Sequence, residues 1–402
     1  MNTTVCDYLI IGAGILGAAL GAEVARRNPG KRVQVVEKEA LPAFHQTGRN
    51  SGVVHSGVYY TPGSLKARFC REGLEETRAF CAAHGIGYDA RGKLIVATDA
   101  LEESRLGALE TRAAENGVTA HRLDAAGLRQ REPNVSGVAA LHIPATAIVD
   151  YTGVTRALLA QVEDSGGAVR FNAEVTGIRA TGDSHEVLIN GGKTAQDRIS
   201  AGRVIACTGL ASDRVARMLG IDPEVRILPF RGEYFVLPPR LNTVVHSMIY
   251  PVPDPALPFL GVHLTPMIDG TITVGPNAVL SLAREKYGRF SVDARDAASA
   301  LFYPGLWRTL ARHPRATLNE LKGSMFRGAY LKLVQKYSPG ITLADLGTYR
   351  SANRAQAVRP DGTLVDDFLI RSLGGVTAVL NAPSPAATSA MPIARHIAGM
   401  LD

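Results

Sequence analysis

The chain has 402 residues, 46% hydrophobic and 20% charged. That fits a globular protein of about two domains and excludes a disordered or low-complexity chain. The net charge of +7 suits an anionic partner, but the basic residues are scattered and no aromatic-interleaved stripe appears, which argues against nucleic acid. The four cysteines, Cys6, Cys70, Cys81 and Cys207, form no C-x-x-C pair and no histidine cluster. No disulfide framework and no metal site is therefore expected. The N-terminus lacks the features of a signal peptide, and no apolar run approaches the ~20 residues that span a bilayer. A cytoplasmic protein is expected, attached at most to a membrane surface.

Residues Asp7–Ile11 are a short apolar run suited to a buried parallel strand. The turn Gly12-Ala13-Gly14-Ile15-Leu16-Gly17 follows at once, then a helical stretch from Ala18 to about Arg27. Arg32–Val36 read as a second strand, and Glu37 ends it about 20 residues past Gly17. Each part has a physical task. Gly12 permits the tight turn, Gly14 lets a pyrophosphate approach the backbone, and Gly17 lets helix and strand pack closely. The helix N-terminus offers free N–H groups to phosphates. Glu37 is placed to accept from ribose hydroxyls. The unit is a dinucleotide site.

The next stretch, His45-Gln46-Thr47-Gly48-Arg49-Asn50-Ser51-Gly52-Val53-Val54-His55-Ser56-Gly57, is polar and glycine-rich. A nicotinamide enzyme would return to a regular crossover here, whereas a long loop can run along an extended FAD. FAD is therefore the expected cofactor, with Lys38, Thr47, Gly48, Asn50, Ser51 and Gly52 along it. Further on, Glu174–Ile178 and Glu186–Ile189 read as meander strands, and Arg203–Gly209 as a buried strand ending in glycine. They bring Val175 and Gly209 to the cofactor. Arg226–Val279 is strand-rich and Asp293–Tyr337 carries helical patterns. Asn381–Thr388 is expected to open a final helix, with Pro385 in its first turn, Ser384 as cap, and its N-terminus toward the flavin. Asn381, Pro383 and Ser384 join the cofactor set.

With these motifs in hand the chain resembles flavoproteins of the glycine-oxidase/D-amino-acid-oxidase type. It is most similar to the bacterial L-2-hydroxyglutarate oxidase/dehydrogenase family. The likeness rests on His45-Gln46-Thr47-Gly48, His55-Ser56-Gly57-Val58-Tyr59-Tyr60, Pro229-Phe230-Arg231-Gly232-Glu233-Tyr234 and Ile249-Tyr250-Pro251-Val252-Pro253-Asp254. It extends over Pro258-Phe259-Leu260-Gly261-Val262-His263, Gly275-Pro276-Asn277, Arg354-Ala355-Gln356-Ala357 and Asn381-Ala382-Pro383-Ser384-Pro385. Arg49, Asn353 and Leu380 depart from the family's usual residues.

The resemblance implies FAD-dependent oxidation of L-2-hydroxyglutarate to 2-oxoglutarate by hydride transfer, with electrons passed to membrane quinone or oxygen. Alternatives are an amine oxidase of the glycine type, a glycerol-3-phosphate dehydrogenase and a flavin-containing RNA-modifying protein. The chemistry needs a base at the hydroxyl and cations for the carboxylates. His55, at the end of the loop, and His263, on an expected alternating strand, are the candidate bases. Arg354 can grip a carboxylate with two hydrogen bonds, and the resemblance puts it there. Arg231, Tyr60 and Tyr250 are candidates for the second carboxylate. The expected fold is α/β, an FAD-binding Rossmann-like domain interleaved with an α+β substrate domain containing an antiparallel sheet. Residues 1–90, 145–220 and 345–402 form the first domain, and 91–144 and 221–344 the second. Leu301, Phe302, Leu306 and Leu310, with Trp307 and flanking arginines, suggest an amphipathic face for the cytoplasmic side of the inner membrane.

Overall fold

The computed structural model describes residues 3–190, 197–254, 261–312 and 314–401, with no side-chain description at 315 and 316. Pro258–Leu260, the opening of the motif that runs to His263, lie outside these residues.

Two sheets dominate. The first is built on Thr3–Ile11, whose Leu9 and Ile10 are fully buried, as a strand covered on both faces requires. It runs parallel to Val33–Val36 on one side and to Asp197–Ala206 on the other. Ala168–Arg170 extends the sheet in parallel beyond Val33–Val36. Asp197–Ala206 serves two neighbours along its far edge. The antiparallel meander Glu174–Thr181 and Ser184–Asn190 takes its first part, and Val376–Asn381 pairs in parallel with its last residues. Helix Ile15–Arg27 crosses this sheet between helices Tyr151–Asp164 and Ala390–Ala398. Ala18, Leu20 and Val24 share one buried cluster with Val154, Leu158, Ile393 and Ile397.

The second sheet has nine strands. Lys93–Ala97 lies between Met248–Pro251 and Ala139–Ile143, and His263–Pro266 and Ile272–Gly275 lead on to the long strand Arg226–Val236. All its pairs are antiparallel except Met248–Pro251 with Lys93–Ala97. In Lys93–Ala97 the side chains alternate. Leu94 and Val96 pack with Tyr330 and Val334 on one face, while Ile95 and Ala97 pack with Leu106 and Leu109 of helix Ala100–Glu115 on the other.

Three local expectations are corrected. The stretch around Arg354 reads as irregular in sequence, yet Tyr349–Val358 is a strand hydrogen-bonded along its length to Arg226–Val236. Those pairings put it in the second sheet, although its residues fall in the 345–402 stretch. The final helix begins at Ala390, not within Asn381–Thr388. Val376–Asn381 is strand, Ser384 caps nothing, and the preceding residue Ser389 makes no side-chain cap. The reason is that Pro383 and Pro385 push the residues before them out of helical geometry. Lastly, the helix starts at Pro304, as Pro304-Gly305 requires, and Leu301 and Phe302 do not share a face with the buried Leu306. Leu306 and Tyr303 turn inward against Leu228, Phe230 and Val358. Phe302 and Trp307 stay exposed, at 85% and 55%. No helix among the described residues is long and apolar enough to cross a membrane.

Candidate active site

A cleft of about 720 Å³ is lined both by the glycine turn and by side chains of the second sheet. At the turn, Gly12 has φ +105°, where a side chain is strained, and a Cβ there would lie 2.6 Å from the Cys207 carbonyl oxygen. A Cβ on Gly17 would lie 1.9 Å from the Gly12 carbonyl oxygen. Gly14 differs: its Cβ would meet only Thr47 Oγ1, at 3.4 Å, and would otherwise fill the cleft. The bare backbone at Gly14 and the helix behind it form a cradle of the kind a pyrophosphate occupies. Thr47 Oγ1 accepts the Ile15 N–H at 3.1 Å. The Glu37 carboxylate accepts from the Ala13 N–H at 2.8 Å and the Glu39 N–H at 3.0 Å, which fixes its orientation and leaves lone pairs for hydroxyl donors.

The loop after Glu37 braces itself. Asn50 Nδ2 donates to the Thr47 carbonyl at 2.9 Å and its Oδ1 accepts from the Gly52 N–H at 2.8 Å. A Cβ on Gly48 would come within 2.3 Å of the Ala43 carbonyl oxygen, and one on Gly52 within 2.9 Å of Val149. Gly17, Gly48 and Gly52 thus set backbone paths and do not line the cleft. Lys38, Thr47, Asn50, Ser51, Val175, Gly209, Asn381, Pro383 and Ser384 do line it. Asn381 Nδ2 donates to the carbonyls of Val365 and Asp367, each at 2.9 Å, and its buried Oδ1 has no partner among the described residues. These residues fit FAD: a bare phosphate cradle, an oriented acid at the ribose position, and a long loop from one sheet toward the other. At the rim, the Lys38 ammonium bonds Glu39, Glu285 and His45. Glu39, His45 and Glu285 could together ligate a metal ion, but the lysine occupies the centre of that group.

The second sheet supplies the other wall. Arg354 lies on Tyr349–Val358, lines the cleft, and donates from Nη1 to the Asn277 carbonyl at 3.3 Å. His263 is stacked on Tyr250 with ring centroids 4.1 Å apart and planes 12° apart. Its Nδ1 is held by Thr265 Oγ1 at 2.7 Å. His55 is anchored through its backbone N–H to Thr388 Oγ1 at 3.0 Å, a hydroxyl that also meets the Tyr151 hydroxyl at 3.0 Å. Tyr60 lines the cleft beside Ser384, whose side chain hydrogen-bonds it. Arg231 is elsewhere. It is buried, paired with Glu233 at 3.1 Å, and donates to the Gly288 carbonyl at 3.3 Å, so its charge is already met within the sheet.

Neither histidine titrates near neutrality as an unperturbed imidazole would. Burial pushes His55 down to about 3, with the Lys93 charge adding to it. Burial, then Arg354, His55 and Lys93, push His263 well below the usual imidazole range. Both rings are neutral and can accept a proton. Sequence reasoning passed over Lys93, Tyr59 and Thr388. Nothing in Gly92-Lys93-Leu94-Ile95 distinguishes a buried lysine from a strand-end one, and only the topology brings it behind the cleft.

The model of the FAD dependent oxidoreductase family matches residues 7–400. The chain is 48% identical over 392 residues to the L-2-hydroxyglutarate dehydrogenase of Escherichia coli K12, covering 97% of this chain and 92% of that one. It is 40% identical over 410 residues to the human mitochondrial L-2-hydroxyglutarate dehydrogenase, covering 99% and 89%. Among solved structures, L-α-glycerophosphate oxidase from Mycoplasma pneumoniae, with FAD bound, superposes with a TM-score of 0.79 at 22% identity, covering 99% of this chain and 95% of that one. Glycine oxidase from Geobacillus kaustophilus gives 0.75 at 17%, with the same coverage. Those two likenesses speak to the fold alone. A family model matched from one end of the paired sheets to the other, around a cleft built for the same cofactor, means that the chain belongs to the FAD dependent oxidoreductase family.

Proposed function

We propose that the protein oxidises L-2-hydroxyglutarate to 2-oxoglutarate, with His263 taking the hydroxyl proton and Arg354 holding the adjacent carboxylate. The observation that carries this reading is that Arg354, His263 and His55 all line the cleft that also holds the glycine turn. The near full-length similarity to proteins named for this reaction supports it. When bound, FAD supplies the two-electron acceptor for the hydride leaving C2. Between the histidines, His263 is the better base because Thr265 and Tyr250 fix its ring. Its low basicity comes first from burial and then from the neighbouring Arg354 and Lys93 cations. A substrate that brings two carboxylates offsets those cations and makes the ring a stronger acceptor at the moment it is needed. Mixed anaerobically with purified enzyme, L-2-hydroxyglutarate is expected to bleach the flavin within turnover time. D-2-hydroxyglutarate, glycine and glycerol 3-phosphate are expected to leave it coloured. Bleaching by glycine or glycerol 3-phosphate and not by L-2-hydroxyglutarate would overturn the reading.

We also propose that the electrons pass to a membrane quinone from a protein resting on the cytoplasmic face of the inner membrane. Exposed Phe302 and Trp307 favour this, with Leu318, Leu321 and Met325 exposed on helix Pro314–Met325 and a net charge of +7 on the chain. Vesicles containing anionic lipid should float the protein at low salt and release it at high salt, with a shift in Trp307 emission. Protein that stays in the soluble fraction with unchanged emission would remove the membrane reading.

A further inference from the structure

Lys93 is fully buried, and its ammonium has no hydrogen-bond or ion-pair partner among the described residues. An isolated buried charge costs several kcal/mol and is ordinarily replaced by an apolar residue or given a counter-charge. Here neither has happened. Strand alternation puts Lys93 on the face of Ile95 and Ala97, the face against which Tyr59 packs. Its Nζ lies 4.4 Å from the centre of the Tyr59 ring and 5.1 Å from that of Tyr250. Both rings line the cleft, as does His55. Two more buried polar atoms in this corner also lack partners among the described residues: the Tyr59 hydroxyl and His55 Nδ1. Unsatisfied polar groups gathered in one place are rare in a folded interior. Three from two segments of the chain, His55–Tyr59 and the strand of Lys93, converge here, and no carboxylate among the described residues pairs with them.

We propose that the corner formed by Lys93, Tyr59 and His55 is the subsite for the second carboxylate of the substrate, and that Lys93 makes the enzyme selective for a diacid over a monoacid. The inference rests on the diacid reading of the function. Arg231, the other buried cation considered for this task, is neutralised by Glu233, whereas Lys93, set behind the rings that line the cleft, has no counter-charge among the described residues. Arg354 and Lys93 both act on His263, so the two cations stand around the same ring. An anion arriving in the corner meets a charge held in low dielectric, where attraction is several-fold stronger than in water. Without one, burial lowers the ammonium to about 7. Lys93 is thus a specificity-determining residue, acting from beneath the rings that the substrate touches.

The test uses the flavin-loaded enzyme and two non-reacting probes, glutarate and pentanoate, with binding read from the perturbed flavin spectrum. Wild type is expected to bind glutarate at least ~10-fold more tightly, the scale of one charge-assisted contact. Lys93→Met keeps the stem volume, removes only the charge, and should abolish that preference while leaving pentanoate binding unchanged. Tyr59→Phe, a milder change, should weaken glutarate alone. In turnover, Lys93→Met should raise KM for L-2-hydroxyglutarate far more than for L-2-hydroxypentanoate. A Lys93→Met protein that retains flavin and still prefers glutarate overturns the proposal, as does equal weakening of both probes. If wild type bleaches with L-2-hydroxyglutarate but the variant keeps its preference, only the subsite is wrong. If wild type does not bleach, the functional reading falls, and the glutarate arm still decides the subsite.

Discussion

A Gly14→Val protein is expected to fold and to come off the column colourless. A Cβ at this position meets only the Thr47 hydroxyl, at 3.4 Å, and the position opens onto the cleft, so the polypeptide is expected to fold. What it does fill is the bare stretch of backbone that the cofactor's phosphates need to approach. Gly17→Val is the contrasting control. There the Cβ falls 1.9 Å from the Gly12 carbonyl oxygen, and the turn itself cannot form. Visible absorbance and far-ultraviolet circular dichroism on both proteins separate loss of cofactor from loss of fold. Stoichiometric flavin in a folded Gly14→Val protein would mean that the phosphates lie somewhere else.

The second large effect is at the base. His263→Asn should slow flavin reduction by ~10²–10⁴, the usual contribution of a positioned proton acceptor. His55→Asn should slow it less, because that ring lacks a partner to orient it. The sign of the pH dependence follows from the imidazole pKa. A base is lost as pH falls through its pKa, and burial with neighbouring cations holds His263 well below 6.5. The wild-type rate of flavin reduction should therefore show no acid limb near neutrality. A limb at the ordinary imidazole value, surviving in His263→Asn, would assign the proton to another group.

The nucleotide half was legible because its signal is local. The Gly12–Gly17 turn, the strand before it and Glu37 after it are contiguous, and each residue type is required by one short-range geometric demand. The substrate half was legible only in part. Arg354 could be singled out for its fork of donors, but Ser351-Ala352-Asn353-Arg354-Ala355 did not read as strand. Its small and polar residues suit a strand only once Arg226–Val236 is beside it. Arg231 was a candidate for the second carboxylate on residue type alone, and its pairing with Glu233 is visible only in the fold. Lys93 was invisible for the opposite reason. Its meaning depends on Tyr59 and Tyr250, which no spacing rule connects to it. Pro385 was read as sitting in the first turn of a helix, whereas the residues from Ser384 to Ser389 form turns between the last strand and Ala390.

The position of Val376–Asn381 has a consequence for how the chain is made. During synthesis the opening strand, its helix and Asp197–Ala206 leave the ribosome long before the strand and helix that complete them. Until then the end of Asp197–Ala206 presents an unpaired row of backbone groups, and helix Ile15–Arg27 lacks one of its two flanking helices. Such an edge invites pairing with other chains. The nascent protein therefore depends on protection of its earliest-made half until translation is nearly done, and a message cut short before residue 376 yields a sticky fragment rather than a smaller enzyme.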